Sequence, residues 1–517
     1  MARMNNELQA FVDNPPPTTE VKSLSFLKAP QGLDLASPLS KLDPRYSASM
    51  MNLRIEDGTY VPRHGTRLLV NASAANPIMA HAHIVTALGV ERVVRWTTTK
   101  MQYYNGATWV DIGATTFTGN DSYEHMFSWT VFGNNILFTN NKDGLFRYDP
   151  AANTITSIVT APGGRRVDVF NGRVVVSGVT GQPQRMQWSV KNDDSDWVGT
   201  GSGFEDFKSG SGSYADLQMA LIPVNDNTAL SIRSNSVWAV YETGNVLAPF
   251  RPGRRFSNFG SLSPHSLVGL DGAVLGFFRS GFYVITETEK RNIGVTIGPD
   301  FKSLIDSAGV ELHGRVVGCV DPKLFEYRVI QGPGSSAANR ERIWRWHPHH
   351  NAWTRDTYLI EIAHIAPIHY VVSALSAPHG LLIASTAAVP RSFYESLTSI
   401  VDAMVDGTTG PFAWEIETGY ITLHPLHNTR IQEVELELEV KFSDQTIGMT
   451  HTQDGGTTGI QYGDLKTVPV NKSALVVFRE VYEDRQVQLG LFGLGVGNVL
   501  RLIEMVVHCT LGTKENL

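Results

Sequence analysis

The chain has 517 residues, 42% of them hydrophobic and 18% charged, with a formal net charge of −7. That balance excludes a disordered chain and argues against a protein built to grip nucleic-acid phosphates, which takes a basic face. It does not exclude a surface past which DNA slides without being held.

Two cysteines, Cys319 and Cys509, cannot make a disulfide framework or a CxxC metal pattern. The first residues lack the apolar core of a signal peptide. No run reaches about 18 uninterrupted apolar residues, so the expectation is a folded cytoplasmic product with no membrane span.

Residues 1–30 read as an arm, with a polyproline-like Pro15-Pro16-Pro17 and nothing periodic around it. Residues 31–78 hold an opening hairpin, expected to form part of a platform. In "MNLRIEDGTYVPRHGTRLLV" (51–70), Leu53 and Ile55 alternate with polar residues, Glu56-Asp57-Gly58 is a turn signal, and Tyr60 and Val61 resume the pattern. A hairpin does not explain why Arg63-His64-Gly65 punctuates the return strand.

From residue 79 to about 405, short apolar runs broken by Gly, Asn or Asp repeat a phrase of turn, strand, turn and strand. It occurs at 131–149, 169–189, 223–242, 270–287 and 319–347, with a weaker copy at 92–112. Landmarks Phe132, Phe170, Asn225, Leu270 and Val320 give steps of 38, 55, 45 and 50 residues. A unit of about 40–50 residues with three or four strands is the size of a propeller blade. One such sheet cannot bury both faces alone, so copies pack around an axis. The spacing predicts a β-propeller of about six blades.

Two segments carry helical spacing. In "PDFKSLIDSAG" Phe301, Leu304 and Ile305 fall at i, i+3 and i+4, and "PRSFYESLTSIVDAMVDG" puts Phe393, Leu397, Ile400, Val401 and Met404 on one face. The second is expected to cap the repeats.

Residues 406–517 predict a separate β-sandwich-like or jelly-roll-like module, making the fold class all-β. "IQEVELELEVKF" alternates Val434, Leu436, Leu438, Val440 and Phe442 against Glu433, Glu435, Glu437 and Glu439. The glutamates read either as a solvated outer face or, repeated around a ring, as an acidic channel wall that lets DNA pass without sticking. Residues 443–464, Gly/Thr-rich and too long for a hairpin turn, read as a loop. It is either a tolerated insertion or a contact or gating finger carrying Met449, His451, Asp454 and Tyr462.

A catalytic kit is hard to assemble. "WSVKNDDSDWVG" (188–199) approaches a sialidase Asp-box but lacks its Gly-to-Trp spacing and occurs once. His347, His349 and His350 sit among three tryptophans, but Pro348 interrupts them and no acidic or Cys ligand completes the set. A turn between aromatic strands is the better reading. Phosphate, dinucleotide and nucleophile-elbow motifs are absent. The expectation is a non-enzyme without cofactor or metal.

The opening segment nevertheless resembles that of the tail nozzle proteins of short-tailed bacteriophages, also called tail tubular protein B or distal tail hub. Gly32, Leu42, Ala48, Asn52, Gly58, Arg63 and Gly65 carry the pattern, with His64 where the family commonly has proline. "MQWSVKNDDSDW" resembles a second family phrase through Trp188, Ser189, Asp196 and Trp197, and the closing strands are similar to the family's last β module. The resemblance spans nearly the whole chain through short motifs whose order is their strength.

It implies a homohexameric ring at the distal end of a virion tail. Such a ring docks on a head-to-tail adaptor ring, supports fibres or spikes, and gates double-stranded DNA passing through its channel without sequence-specific binding. A receptor- or carbohydrate-binding tail protein and a propeller glycosidase are the alternatives.

Overall fold

The computed structural model describes residues 21–514 except 71–72, 208–215, 302–312, 332–340, 369–374, 376–377, 387–389, 397–398, 400, 405–407, 422–426, 441–444, 453–459, 462–463, 469–471, 480–481, 485–486 and 495–499. Two compact units emerge, one of residues 1–63, 349–356 and 411–517, the other of 64–348 and 357–410. The chain passes from the first to the second between Arg63 and His64, inside the punctuation that the hairpin left unexplained. Among the described residues no helix is long and apolar enough to cross a membrane.

The larger unit is a succession of antiparallel meanders. The first sheet comprises Ile78–Val85, Glu91–Thr97, Met101–Tyr104 and Trp109–Asp111, and the second Ser128–Phe132, Asn135–Thr139, Phe146–Asp149 and Thr154–Ser157. Gly164–Phe170, Arg173–Val179, Gln182–Trp188 and Gly203–Asp206 form the third. The fourth holds Gln218–Asn225, Thr228–Arg233, Ser236–Glu242 and Phe250–Ser257; the fifth holds Val268–Leu270, Ala273–Phe278, Gly281–Ile285 and Lys290–Asn292. Val317–Asp321, Glu326–Ile330 and Arg342–His347 belong to the sixth.

A seventh sheet closes the series. Ile362–Pro367, Pro378–Ser385 and Ser392–Ser396 come from the end of the unit, and the fourth strand is Gly65–Leu68 from its beginning. From the second sheet to the seventh, each first strand lies against the first strand of the next, and that of the seventh lies against that of the first. The remaining junction is aromatic: Trp96 of the first sheet meets Phe127 and Phe138 beside the second at centroid distances of 6.0 and 5.6 Å. The ring is therefore closed, a β-propeller of seven blades rather than about six.

Sequence chemistry explains the blade hairpins. Asn171-Gly172 and Asp271-Gly272 take positive φ at both positions, the two-residue turn whose twist matches that of the strands. Inside the blades, Val174, Val175 and Val176 are wholly buried, as are Leu230 and Ile232, so these strands read as continuous apolar runs rather than alternating ones.

The segment expected to form a capping helix at 390–407 is strand where it is described at 392–396 and 402–403, while Leu397 and Ile400 lie outside the described residues. Ser392–Ser396 is the third strand of the seventh blade, paired on both sides, with Phe393 and Tyr394 buried. Short apolar runs fit either period, and the aromatic pair together with two waiting strand edges decides for β. Of the other expected helix, Gly298–Phe301 is helical, and Leu304 and Ile305 lie outside the described residues.

The smaller unit contains two antiparallel sheets. One runs Lys472–Phe478, His427–Val440, Leu500–Lys514, Thr59–Pro62 and Leu53–Glu56, with Lys22–Phe26 also paired to Leu500–Lys514. The other runs Ser49–Met51, Ala413–Glu417, Gln488–Leu494, Gln445–Thr452 and Ile460–Gln461. N-terminal strands therefore complete sheets made mostly by the C-terminal segment. The predicted hairpin is present, Leu53 opposite Pro62 and Glu56 opposite Thr59, with Asp57 and Gly58 both at positive φ in its turn.

Residues 443–464 are not one long loop. Gln445–Thr452 is an inner strand, with Met449 opposite Leu491 and His451 opposite Leu489. Met449 is wholly buried and His451 nearly so, because Ile447, Met449 and His451 form an inward stripe that Gly448 and the threonines disguise. Asp454 and Tyr462 lie outside the described residues.

Candidate functional site

Arg63 owes its position to the end of the hairpin ladder. Its backbone N–H donates to the carbonyl of Asn52 at 2.9 Å, and its Nε donates to Asn52 Oδ1 at 2.8 Å. The guanidinium lies 4.1 Å from the ring centroid of Phe412, a cation–π contact made stronger by its complete burial. Asn52 sits at φ 60°, a left-handed conformation asparagine tolerates better than most residues. Its Nδ2 donates to the Ala413 carbonyl at 2.5 Å, and its backbone N–H donates to Arg355 at 2.9 Å. One buried pair thus joins three separate stretches of the smaller unit.

The other motif residues are also joints. A Cβ on Gly32 would run into the carbonyl oxygen of Trp353, its parallel-strand neighbour. A Cβ on Gly65 would run into the carbonyl of Val401 and lie 2.9 Å from that of Ser399, so the closing strand requires glycine there. Trp188 donates through Nε1 to the Gly201 carbonyl at 3.2 Å, and Ser189 Oγ accepts from Val174 N–H at 3.1 Å. Asp196 Oδ1 accepts from the N–H groups of Val198 and Gly199, and Trp197 Nε1 donates to the Asp194 carbonyl. This phrase shapes the return to the last strand of the third blade.

The glutamate strand lies between Leu500–Lys514 and Lys472–Phe478, and bases on or next to these two strands reach three of the four. Glu433 is 3.4 Å from Arg479, Glu435 is 3.5 Å from His508 and Glu439 is 3.9 Å from Arg501. Glu437 is exposed and stands directly opposite Glu504, which is itself held by Lys28 at 3.2 Å and by the Ser25 hydroxyl. Both contacts keep the Glu504 carboxyl below its ordinary range, the Ser25 bond most. Within one chain this is a mixed-charge face, solvated in the manner of an outer strand face.

The propeller offers a more enclosed feature. A cavity of ≈ 430 Å³ lies on the ring axis, lined by the first strands of six blades, with apolar walls from residues such as Phe127, Phe325 and Ile365. Its polar groups are His81, His265, His364 and Arg166. Arg166 pairs with Asp168 at 3.1 Å and donates to the carbonyls of Pro264 and Leu267, each at 2.8 Å.

Burial pushes the Asp168 carboxyl up to about 6, with Arg166 restraining the rise. Burial pushes His364 down to about 4 and, with help from Arg166 and His364, His265 down to about 3. It also holds His81 well below its ordinary value. These imidazoles are neutral at pH 7. Cys319 lines the same cavity, but burial pushes its thiol up, so it is protonated rather than a nucleophile.

Sequence reasoning missed this group, and it also missed a buried ionic network between the last two blades. Arg328 contacts Glu395 at 2.6 Å, Asp321 at 2.7 Å and Glu326 at 3.2 Å. Arg345 reaches Glu395 at 2.9 Å, and the Tyr358 hydroxyl donates to the same carboxylate at 2.6 Å. His347, once a candidate ligand, instead contacts Glu326 at 3.1 Å. Among the described residues no group of three or more His, Cys, Asp or Glu is arranged to hold a metal ion.

No family model matches the sequence, and no curated protein does. Among solved structures, BamB from Moraxella catarrhalis is similar at 11% identity, covering 68% of this chain and 97% of its own, with a TM-score of 0.35. YCF48 from Cyanidioschyzon merolae matches at 11% identity over 64% of this chain and 98% of its own, with a TM-score of 0.37. The computationally designed Ika8 protein matches at 11% identity over 71% and 100%, with a TM-score of 0.36.

Proposed function

We propose that the chain is a structural component of a phage virion tail, a nozzle subunit that assembles into a hexameric ring around the DNA path. The observation that carries the reading is where the resembling motif residues fall. Asn52 and Arg63 tie the N-terminal hairpin to residues 412–413 of the C-terminal module, and Gly65 lies in the strand that closes the propeller. The propeller is thus inserted, in sequence, within a unit built from both chain ends. Such an insertion suits a ring-forming unit that is completed by both chain ends.

In this role the protein needs no reaction chemistry. Its work is to dock on an adaptor ring, carry fibres or spikes, and let DNA pass. The mixed-charge face around Glu433–Glu439 suits a surface that neither grips nor strongly repels phosphates. Gln445–Thr452, part of the expected gating loop, is committed to a sheet. Excising 443–464 would remove that strand and with it the fold.

The test is the mass of the purified protein in solution together with a two-dimensional electron-microscopy average, with and without an adaptor ring. A six-fold ring supports the nozzle. A stable monomer in both conditions overturns it.

A further inference from the structure

We propose that the axial cavity of the propeller is a binding site for a small organic anion, a carboxylate on an apolar body, held by the imidazoles of His81 and His364. The two rings face each other with centroids 6.4 Å apart and an interplanar angle of 48°. The Nδ1 atom of each is buried and has no hydrogen-bond partner among the described residues. Buried polar atoms in folded proteins are satisfied with few exceptions, so two such atoms beside one cavity mark a place where a partner belongs.

The hydrogen-bond network fixes what His81 offers. Its Nε2 lies 2.8 Å from Ser392 Oγ, and that oxygen accepts from Arg95 at 3.3 Å. Arginine only donates, whereas a serine hydroxyl has one proton to give. Every group is used when Ser392 gives that proton to Nε2. The ring proton of His81 then sits on Nδ1, a donor waiting for an acceptor.

Charge selects an anion over a cation. Arg95 faces His81, and Arg165 and Arg166 face His265; each opposes protonation of its neighbour. Asp168 answers Arg166 directly. The arginines beside His81 and His265 favour a negative group over a metal ion there, while Asp321 and Glu395 act on the Cys319 side of the cavity. Volume and wall chemistry fit a small molecule: ≈ 430 Å³ with aromatic and aliphatic sides is within the few hundred Å³ usual for such sites.

The site stands independently of the tail reading, since a ring-forming or a monomeric protein would contain it equally. The experiment is calorimetric titration of the full chain with benzoate and with its neutral isostere benzamide. Benzoate is expected to bind one per chain, at least about tenfold tighter than benzamide. His364→Leu is expected to weaken benzoate by about tenfold or more, the loss of one hydrogen bond to a charged group. No benzoate binding at about 10 mM, equal binding of benzamide, or unchanged affinity in a folded His364→Leu overturns the proposal. The wild-type comparison decides it even where that variant does not fold.

Discussion

Arg63 and Asn52, eleven positions apart, form the last rung of the opening hairpin twice over, backbone to backbone at 2.9 Å and side chain to side chain at 2.8 Å. The second contact converts a local turn into an anchor, because Asn52 also holds Ala413 and Arg63 covers Phe412. Arg63→Ala removes the donor to Asn52 Oδ1 and the cation–π contact. It is expected to destabilise the smaller unit by about 2–4 kcal/mol, measured by chemical denaturation. Asn52→Gly keeps the left-handed backbone and should cost less than Asn52→Ala, which loses both the backbone tolerance and the hydrogen bonds.

Two glycines of the same segment separate backbone strain from collision. Gly58 has φ 72° with nothing within 4 Å of a built Cβ, so Gly58→Ala should cost about 1–2 kcal/mol from conformation alone. Gly65→Ala meets the carbonyl oxygens of Val401 and Ser399, which accept from the N–H groups of Thr66 and Gly65, and should cost at least about 1–3 kcal/mol. It should loosen the closing strand specifically. Amide exchange at residues 65–68 and 392–396 checks this, with exchange accelerated by Gly65→Ala and unchanged by Gly58→Ala.

Glu395 carries the charge balance of two arginines inside the last blades. Glu395→Gln leaves Arg328 and Arg345 short of a partner in a dry site and is expected to destabilise by about 3–5 kcal/mol. The carboxyls of Glu326 and Glu395 are held well below the ordinary range by their cationic neighbours, which outweigh the opposing effect of burial. Groups with depressed folded-state values contribute stability that is present above the unfolded value near 4.5 and lost as pH falls through the folded one. Wild-type stability should therefore decline below about pH 4.5 more steeply than that of Glu395→Gln, as read from denaturant midpoints across pH.

Glu437 faces Glu504 across the strand pair, and like charges in that position are unfavourable. Glu437→Lys should stabilise by about 0.2–1 kcal/mol, an effect that shrinks with added salt. A thermal melt at low and high ionic strength measures both.

The legible part of the fold was the part written locally. All six repeated phrases coincide with blades one to six, since Asn-Gly and Asp-Gly turns between apolar runs specify hairpins without distant help. The seventh blade stayed hidden because its edges lie at opposite ends of the unit, and because Phe393, Leu397, Ile400 and Met404 happen to fall at helical spacing. Met449 and His451 were hidden by the glycine and threonines between them.

The axial histidines left almost no trace. "MAHAHIV" places two histidines and "IAHIAP" one in an apolar strand, a weak sign of a polar atom turned inward. Nothing in one sequence brings residues 81 and 364 together. Arg328 and Arg345 gave the same faint signal, a charge inside an apolar strand. Asn52, Arg63 and Gly65 were marked by order and resemblance, and their physical reason became visible only as contacts.

The closing strand has a consequence for biogenesis. Leu68 pairs with Phe393, more than three hundred residues later. At translation rates of about 5–20 residues per second, Gly65–Leu68 waits on the order of tens of seconds for its partner. Until then the nascent propeller has an open seam with unpaired backbone at both lips, the state most exposed to pairing with another chain. On a polysome, where copies emerge side by side, the pairing that must wait longest for its partner is also the one at which two subunits are most easily stitched together by mistake.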